Sequence, residues 1–132
     1  MEGYDLILRR LCLIKDTGHA GTLWGGNMMA WVDEAGAIYA GSKVANETLV
    51  TKAFTEINFQ HPVRPGDVIE FWGRVSRMGK SSIAIELKVC GGRLNDPERW
   101  PVLDVTGVFV AVDSRLRKEP IRPLSGPGTL QS

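Results

Sequence analysis

The chain has 132 residues and a mass of 14.5 kDa, the size of one domain, and 43% of its residues are hydrophobic, enough for a substantial core. A formal net charge of +1 argues against the strong positive field of a nucleic-acid or anionic-membrane binder. No segment approaches the ~20 unbroken apolar residues of a spanning helix, and Glu2 and Asp5 are wrong for a secretory signal, so a cytoplasmic protein is expected.

Residues 6–14 are rich in Leu and Ile and read as a strand entering the fold, with Cys12 in the run. Residues 15–26 are turn-like, holding Gly18, Gly21, Gly25 and Gly26. Residues 27–40 read as a helix: Met28, Trp31, Val32, Ala35, Ile38 and Tyr39 recur at spacings of three and four, the apolar stripe of a helix packed on a core. Asn27 is placed to cap it and Gly41 to end it.

The remainder is β-rich. Residues 47–59 form a run dense in Thr, Val, Phe and Ile, and 61–67 a turn around Pro62, Pro65 and Gly66. Residues 68–76 and 81–89 form a hairpin across 77–80; in its second arm Ile83, Ile85, Leu87 and Val89 alternate with Ala84, Glu86 and Lys88. Residues 91–99 read as a polar loop and 102–112 as a last strand. From Asp113 the text turns to Arg, Lys, Pro, Gly and Ser, and residues 124–132 are expected to be a flexible tail behind a single domain, 1–123. No repeat is visible. Cys12 and Cys90 read as buried reduced thiols, a disulfide or a reactive thiol being the alternatives. One helix cannot cover both faces of five strands, so the expected architecture is α+β, an antiparallel sheet curled around a central helix.

Ala20-Gly21-Thr22-Leu23-Trp24-Gly25-Gly26-Asn27-Met28, running into Asp33-Glu34-Ala35-Gly36, resembles the acyl-CoA hydrolase branch of the hot-dog thioesterases, the YciA-like bacterial enzymes and the animal cytosolic acyl-CoA hydrolases. The pattern is a glycine, three residues, a Gly-Gly pair opening the helix, then an acidic residue followed by x-x-Gly. Gly21, Gly25, Gly26, Asp33 and Gly36 match it. The resemblance continues through residues 59–67, through Gly79-Lys80-Ser81-Ser82 and through 109–113, covering most of 6–123. It implies a hot-dog fold and acyl-CoA thioester hydrolysis without a metal or other cofactor. It also implies sites between subunits of a homo-oligomer whose basic unit is a dimer with helices side by side, assembled further into a tetramer or hexamer. Many relatives carry an Asn eight residues before the second glycine of the pair; here that position is Gly18, with His19 beside it to take over part of the role.

Thioester hydrolysis needs donors for the oxygen that becomes negative, and a base or nucleophile for the carbon. Gly25 and Gly26 at a helix start offer backbone N–H groups that lack intrahelical partners and sit at the positive end of the dipole. Asp33 offers the base or nucleophile, and Glu34 is its rival about 100° around the helix; the family's acidic position, three residues before Gly36, favours Asp33. Gly26 and Asp33 are seven residues apart, nearly two turns, so they share a face but lie about 10 Å apart along the axis. One thioester carbonyl cannot touch both, so the site should pair Gly26 of one chain with Asp33 of another.

For the nucleotide of CoA the candidate cations are Arg77, Lys80, Arg117, Lys118 and Arg122, with Gly79-Lys80-Ser81 lining the path by resemblance. Thr51 and Phe54 are placed to face the thioester or acyl chain, and Trp24, Trp31 and Asn27 to wall the pocket. His61, before Pro62, reads as structural. Two other readings remain at this point: a hot-dog hydratase or dehydratase, for which His19 is the candidate base, and a non-catalytic acyl-CoA-binding module. A Gly-x-Ser-x-Gly elbow, a zinc spacing and a phosphate loop are all missing.

Overall fold

The computed structural model describes residues 1–124. Seven elements follow in order: β1 (Asp5–Leu11), a 3-10 turn (Ile14–Asp16), α1 (Gly25–Gly41), β2 (Leu49–Phe59), β3 (Asp67–Met78), β4 (Ser82–Arg93) and β5 (Trp100–Ala111). The strands form one antiparallel sheet in the order β1-β3-β4-β5-β2. The chain therefore lays down the two sheet edges before the centre, and β2, at the edge, pairs among the described residues only with β5.

Strand alternation decides which side chains meet the helix. Ile69 and Phe71 of β3, Ile83, Ile85, Leu87 and Val89 of β4, and Leu103, Val105 and Phe109 of β5 are buried against Met28, Trp31, Val32, Ala35, Tyr39 and Ala40 of α1. The contact is closest at Gly36, where a Cβ would stand 2.7 Å from Phe109 Cζ, which is the physical reason for the glycine of the x-x-Gly motif. The helical stripe holds except at Ile38, which is 52% exposed: it lies one turn beyond Glu34 on the flank of the helix, not on its underside.

Three of the boundaries that differ from expectation bear on the site or the packing. The helix begins two residues early, with Trp24 rather than Asn27 as N-cap, so the glycine pair is its first turn. The strand expected over 6–14 ends at Leu11, and the chain enters a 3-10 turn in which Leu13 N–H is held by Asp16. β4 runs four residues beyond its expected end: Gly91 and Gly92 are paired with Ile69 and Val68 and are buried. A Cβ on Gly91 would press on Val102, and one on Gly92 would collide with the Glu98 carbonyl, so these glycines serve sheet packing rather than a loop.

Residues 113–124 lack regular structure but are pinned. Ile121 N–H donates to Lys80 C=O, Ala45 N–H to Arg122 C=O and Leu124 N–H to Lys43 C=O, which ties this segment to the β3–β4 turn and the end of the helix. The rest of the expected tail, 125–132, lies outside the described residues. Cys12 and Cys90 are buried and unpaired; Cys12 follows β1 and Cys90 sits on β4. His61 stacks on Trp100 with ring centroids 5.2 Å apart, in keeping with a structural role.

Candidate active site

The mouth of α1 is built from the loop before it. Leu23 N–H donates to Val63 C=O, Trp24 N–H to Asp16 C=O and Gly18 N–H to Thr22 C=O, so the loop folds back on itself and delivers Gly25 at a fixed angle. Asn27 sits in the first turn, where its Nδ2 donates to Asp16 C=O at 2.9 Å; its side chain braces the loop instead of capping the helix. The first bond of the helix runs from Met28 N–H to Trp24 C=O. The N–H groups of Gly25 and Gly26 consequently point out of the helix end, and both residues are exposed.

Trp24 is 64% exposed and flanks both Gly18 and Gly26. His19, Gly18, Ala20, Thr22, Leu23, Trp24 and Gly25 line one cleft of about 420 Å³, so His19 and the first glycine of the pair share a cleft. Nothing occupies the Cβ space of Gly18 more closely than 3.7 Å, a space that the side chain of relatives carrying Asn there would fill.

Asp33 and Glu34 diverge. Asp33 leans to the β2 side, where Thr51 Oγ1 donates to its Oδ1 at 2.7 Å. Glu34 leans to the β1 side, where Arg10 Nη1 lies 3.1 Å from its Oε1 and the Arg10 guanidinium stacks 4.4 Å above Trp31. The two carboxylates thus address opposite edges of the sheet, and the Glu34 charge is already matched. Asp33 Oδ1 is oriented, while Oδ2 accepts no hydrogen bond from the described residues.

Phe54 lies three residues beyond Thr51, half-buried over Gly107. At the sheet end where Leu49 meets Ala111, Lys80, Ser81, Lys118, Glu119 and Pro120 line a second cleft of about 360 Å³. Gly79 makes the tight turn beside it: its N–H donates to Ser82 C=O, and a Cβ would stand 2.8 Å from Ser82 Oγ. Lys80 and Lys118 come together as expected, although 38 residues apart in sequence (118 less 80). Arg122 does not join them: its guanidinium pairs with Glu119 at 3.4 Å and its N–H is held by Asn46 Oδ1, on a separate cleft with Glu47 and Asp113.

A constellation that sequence reasoning missed lies on the outer face of the sheet. Glu70, 6% exposed, accepts from Arg9 Nε at 2.9 Å and Trp72 Nε1 at 3.2 Å, and Arg99 Nε is 3.2 Å away as an ion-pair partner. Burial pushes the Glu70 carboxyl up, but the Arg9, Trp72, Arg99 and Cys90 donors outweigh it and hold the group at about 2. Burial and the Glu70 charge push the Cys90 thiol to about 11. This cluster ties β1, β3, β4 and the β4–β5 loop together and is remote from α1. Its only sequence signal was a lone Glu among apolar residues of a strand.

The family model described as the thioesterase superfamily matches residues 20–94. An uncharacterized acyl-CoA thioester hydrolase of Haemophilus influenzae is 37% identical over 119 residues, covering 88% of this chain and 77% of that protein. The acyl-CoA thioester hydrolase YciA of Salmonella typhimurium is 31% identical over 125 residues, covering 92% of each. Among solved structures, a hexameric broad-specificity acyl-coenzyme A thioesterase superposes with a TM-score of 0.85 at 33% identity, over 96% of this chain and 92% of that one. With a single helix against a five-stranded antiparallel sheet, matching motifs and these relatives, the chain has the hot-dog fold and belongs to the thioesterase superfamily.

Proposed function

We propose that this protein hydrolyses acyl-CoA thioesters to free acid and CoA at sites shared between two copies of the chain. The observation that carries the reading is the Asp33–Thr51 pair, which holds a carboxylate at the open β2 edge. The free amides of Gly25 and Gly26 lie about 10 Å away along the same helix. A two-fold axis beside β2 would bring the helix mouth of one copy to Asp33 of the other and form two equivalent sites. The unpaired edge of β2, with Val50, Ile57 and Phe59 exposed, supports a partner there, since a long apolar edge left open invites association. Several similar solved structures are hexameric thioesterases, and a trimer of such dimers is the assembly proposed.

In this reading the thioester oxygen accepts hydrogen bonds from Gly25 and Gly26, which stabilise the oxyanion by about 3–4 kcal/mol per donor. Asp33 Oδ2 takes a proton from water as the water oxygen bonds to the carbonyl carbon; collapse breaks the C–S bond and CoA leaves as a thiolate that receives the proton. Direct attack by Asp33 on the carbon, with later hydrolysis of the anhydride, uses the same geometry. Single turnover in ¹⁸O-water tests for the second route, because label in Asp33 arises only when water attacks the aspartyl carbonyl of the anhydride. Trp24 and His19 flank the helix mouth, and Lys80 and Lys118 meet the CoA phosphates. No metal or other cofactor takes part. The reaction belongs in the cytoplasm, a reading supported by two buried, unpaired thiols.

The deciding experiment is thiol release from an acyl-CoA panel by the wild type, Asp33→Asn and Glu34→Gln. The proposal expects turnover in the wild type, loss in Asp33→Asn with acyl-CoA binding kept, and little change in Glu34→Gln. Binding without turnover in the wild type would make the protein a carrier, and activity lost only in Glu34→Gln would move the base to the other edge.

A further inference from the structure

The groups that the proposed reaction uses lie in a line along β2. The Lys80–Lys118 cleft stands at the end where Leu49 pairs with Ala111, whose N–H donates to Ser81 C=O. Thr51, carrying Asp33, comes next and pairs with Phe109. Phe54 follows, roughly 7 Å further along the sheet because a bulge lies between the two, paired with Gly107. Acyl-CoA is also linear, with its phosphates at one end, the thioester between and the acyl chain beyond. With phosphates at Lys80 and Lys118 and the carbonyl at Asp33, the acyl chain runs toward Phe54.

What it meets there is a wall of two rings. A Cβ built on Gly107 would stand 3.1 Å from Phe54 Cε1 and 3.1 Å from Phe109 Cε1, so both rings crowd the same bare patch of sheet. Phe109 is fully buried and wedged under the helix at Gly36, one turn beyond Asp33. Phe54 is only half-buried. Its ring lies over a space that a glycine leaves empty on the sheet.

We propose that Phe54 closes the acyl pocket beyond the Asp33–Thr51 pair and sets the longest acyl chain the protein accepts. The inference rests on the thioesterase reading above. Phe54 takes no part in bond making; it acts by occupying volume. Removing the ring opens a chamber floored by Gly107 and walled by Phe109. Each methylene that gains burial there raises kcat/KM about fourfold.

The test is kcat/KM for saturated acyl-CoAs from acetyl to palmitoyl with the wild type, Phe54→Ala, Phe54→Leu and Phe54→Trp, each checked by thermal melting. Phe54→Ala should move the optimum to longer chains, raising the palmitoyl-to-butyryl ratio at least about tenfold, with Phe54→Leu intermediate. Phe54→Trp should move it to shorter ones. If Phe54→Ala does not fold, Leu and Trp still give the opposite shifts. Unchanged ratios, or a uniform fall across the panel in folded variants, overturn the inference and leave the thioesterase reading intact. A wild type that releases no thiol from any acyl-CoA overturns both.

Discussion

Thr51→Val isolates what the Asp33–Thr51 hydrogen bond contributes. Thr51 is exposed on an edge strand, and Val has the same branched shape and a high strand preference, so stability should change little. What disappears is one O–H donor at 2.7 Å from a carboxylate oxygen. Hydrogen bonds to charged groups contribute about 1.5–3 kcal/mol. If that bond holds the carboxylate in its reacting position, its loss lowers kcat by about 10- to 100-fold. KM should stay within about twofold, because the Lys80–Lys118 cleft is untouched. Thr51→Ser keeps the donor and should recover most of the rate. The assay is steady-state thiol release from butyryl-CoA, with melting curves to exclude unfolding. An unchanged kcat in Thr51→Val, or a Thr51→Ser enzyme as slow as Thr51→Val, would refute the idea that this bond aims the catalytic carboxylate.

Further outcomes follow from the electrostatics. Glu70 is held at about 2, below its ordinary value near 4.5, so its ion pairs stabilise the fold fully above that ordinary value and are lost as pH falls toward 2. Glu70→Gln should reduce stability at neutral pH by about 2–3 kcal/mol in urea titrations, and the variant should lose less on going from pH 5 to pH 2 than the wild type does. An acid profile parallel to that of the wild type would count against the ion-pair account. Lys80→Ala and Lys118→Ala should each raise KM for acyl-CoA about tenfold at low salt, with kcat kept. The same variants should act normally on a short acyl thioester that lacks the nucleotide; equal losses on both substrates would show that these lysines do not read phosphate. Native protein at pH 8 should react with no more than a trace of a thiol reagent, since Cys12 and Cys90 are buried and the Cys90 thiol is pushed to about 11. Two thiols should appear on denaturation, and fast labelling of the folded protein would contradict the burial.

Local chemistry made much of this readable in advance. A helix announces its buried face through spacing of three and four, and Met28, Trp31, Val32, Ala35 and Tyr39 did so. A central strand announces itself by alternation, as Ile83 to Val89 did. The glycine pair followed by Asp33 and Gly36 was visible through its resemblance to the hot-dog thioesterase pattern, and helix geometry then fixed their mutual spacing. Boundaries failed where glycine carried two meanings. Gly91 and Gly92 suggested a loop, yet they lie in the strand and are bare because β5 presses on Gly91 and the β4–β5 connection on Gly92.

Partners distant in sequence were decided only by tertiary structure. Asp33 and Glu34 are adjacent acids of similar chemistry, and composition cannot rank them. The sheet order separates them, because β2 and β1 close opposite edges and present Thr51 to one carboxylate and Arg10 to the other. Register likewise joined Lys80 to Lys118, turned Arg122 away toward Glu119, and gathered Arg9, Trp72, Cys90 and Arg99 around Glu70. The physical reason is reach: periodicity acts over a few residues, whereas a hydrogen bond between strands is fixed only once the whole sheet has chosen its pairing.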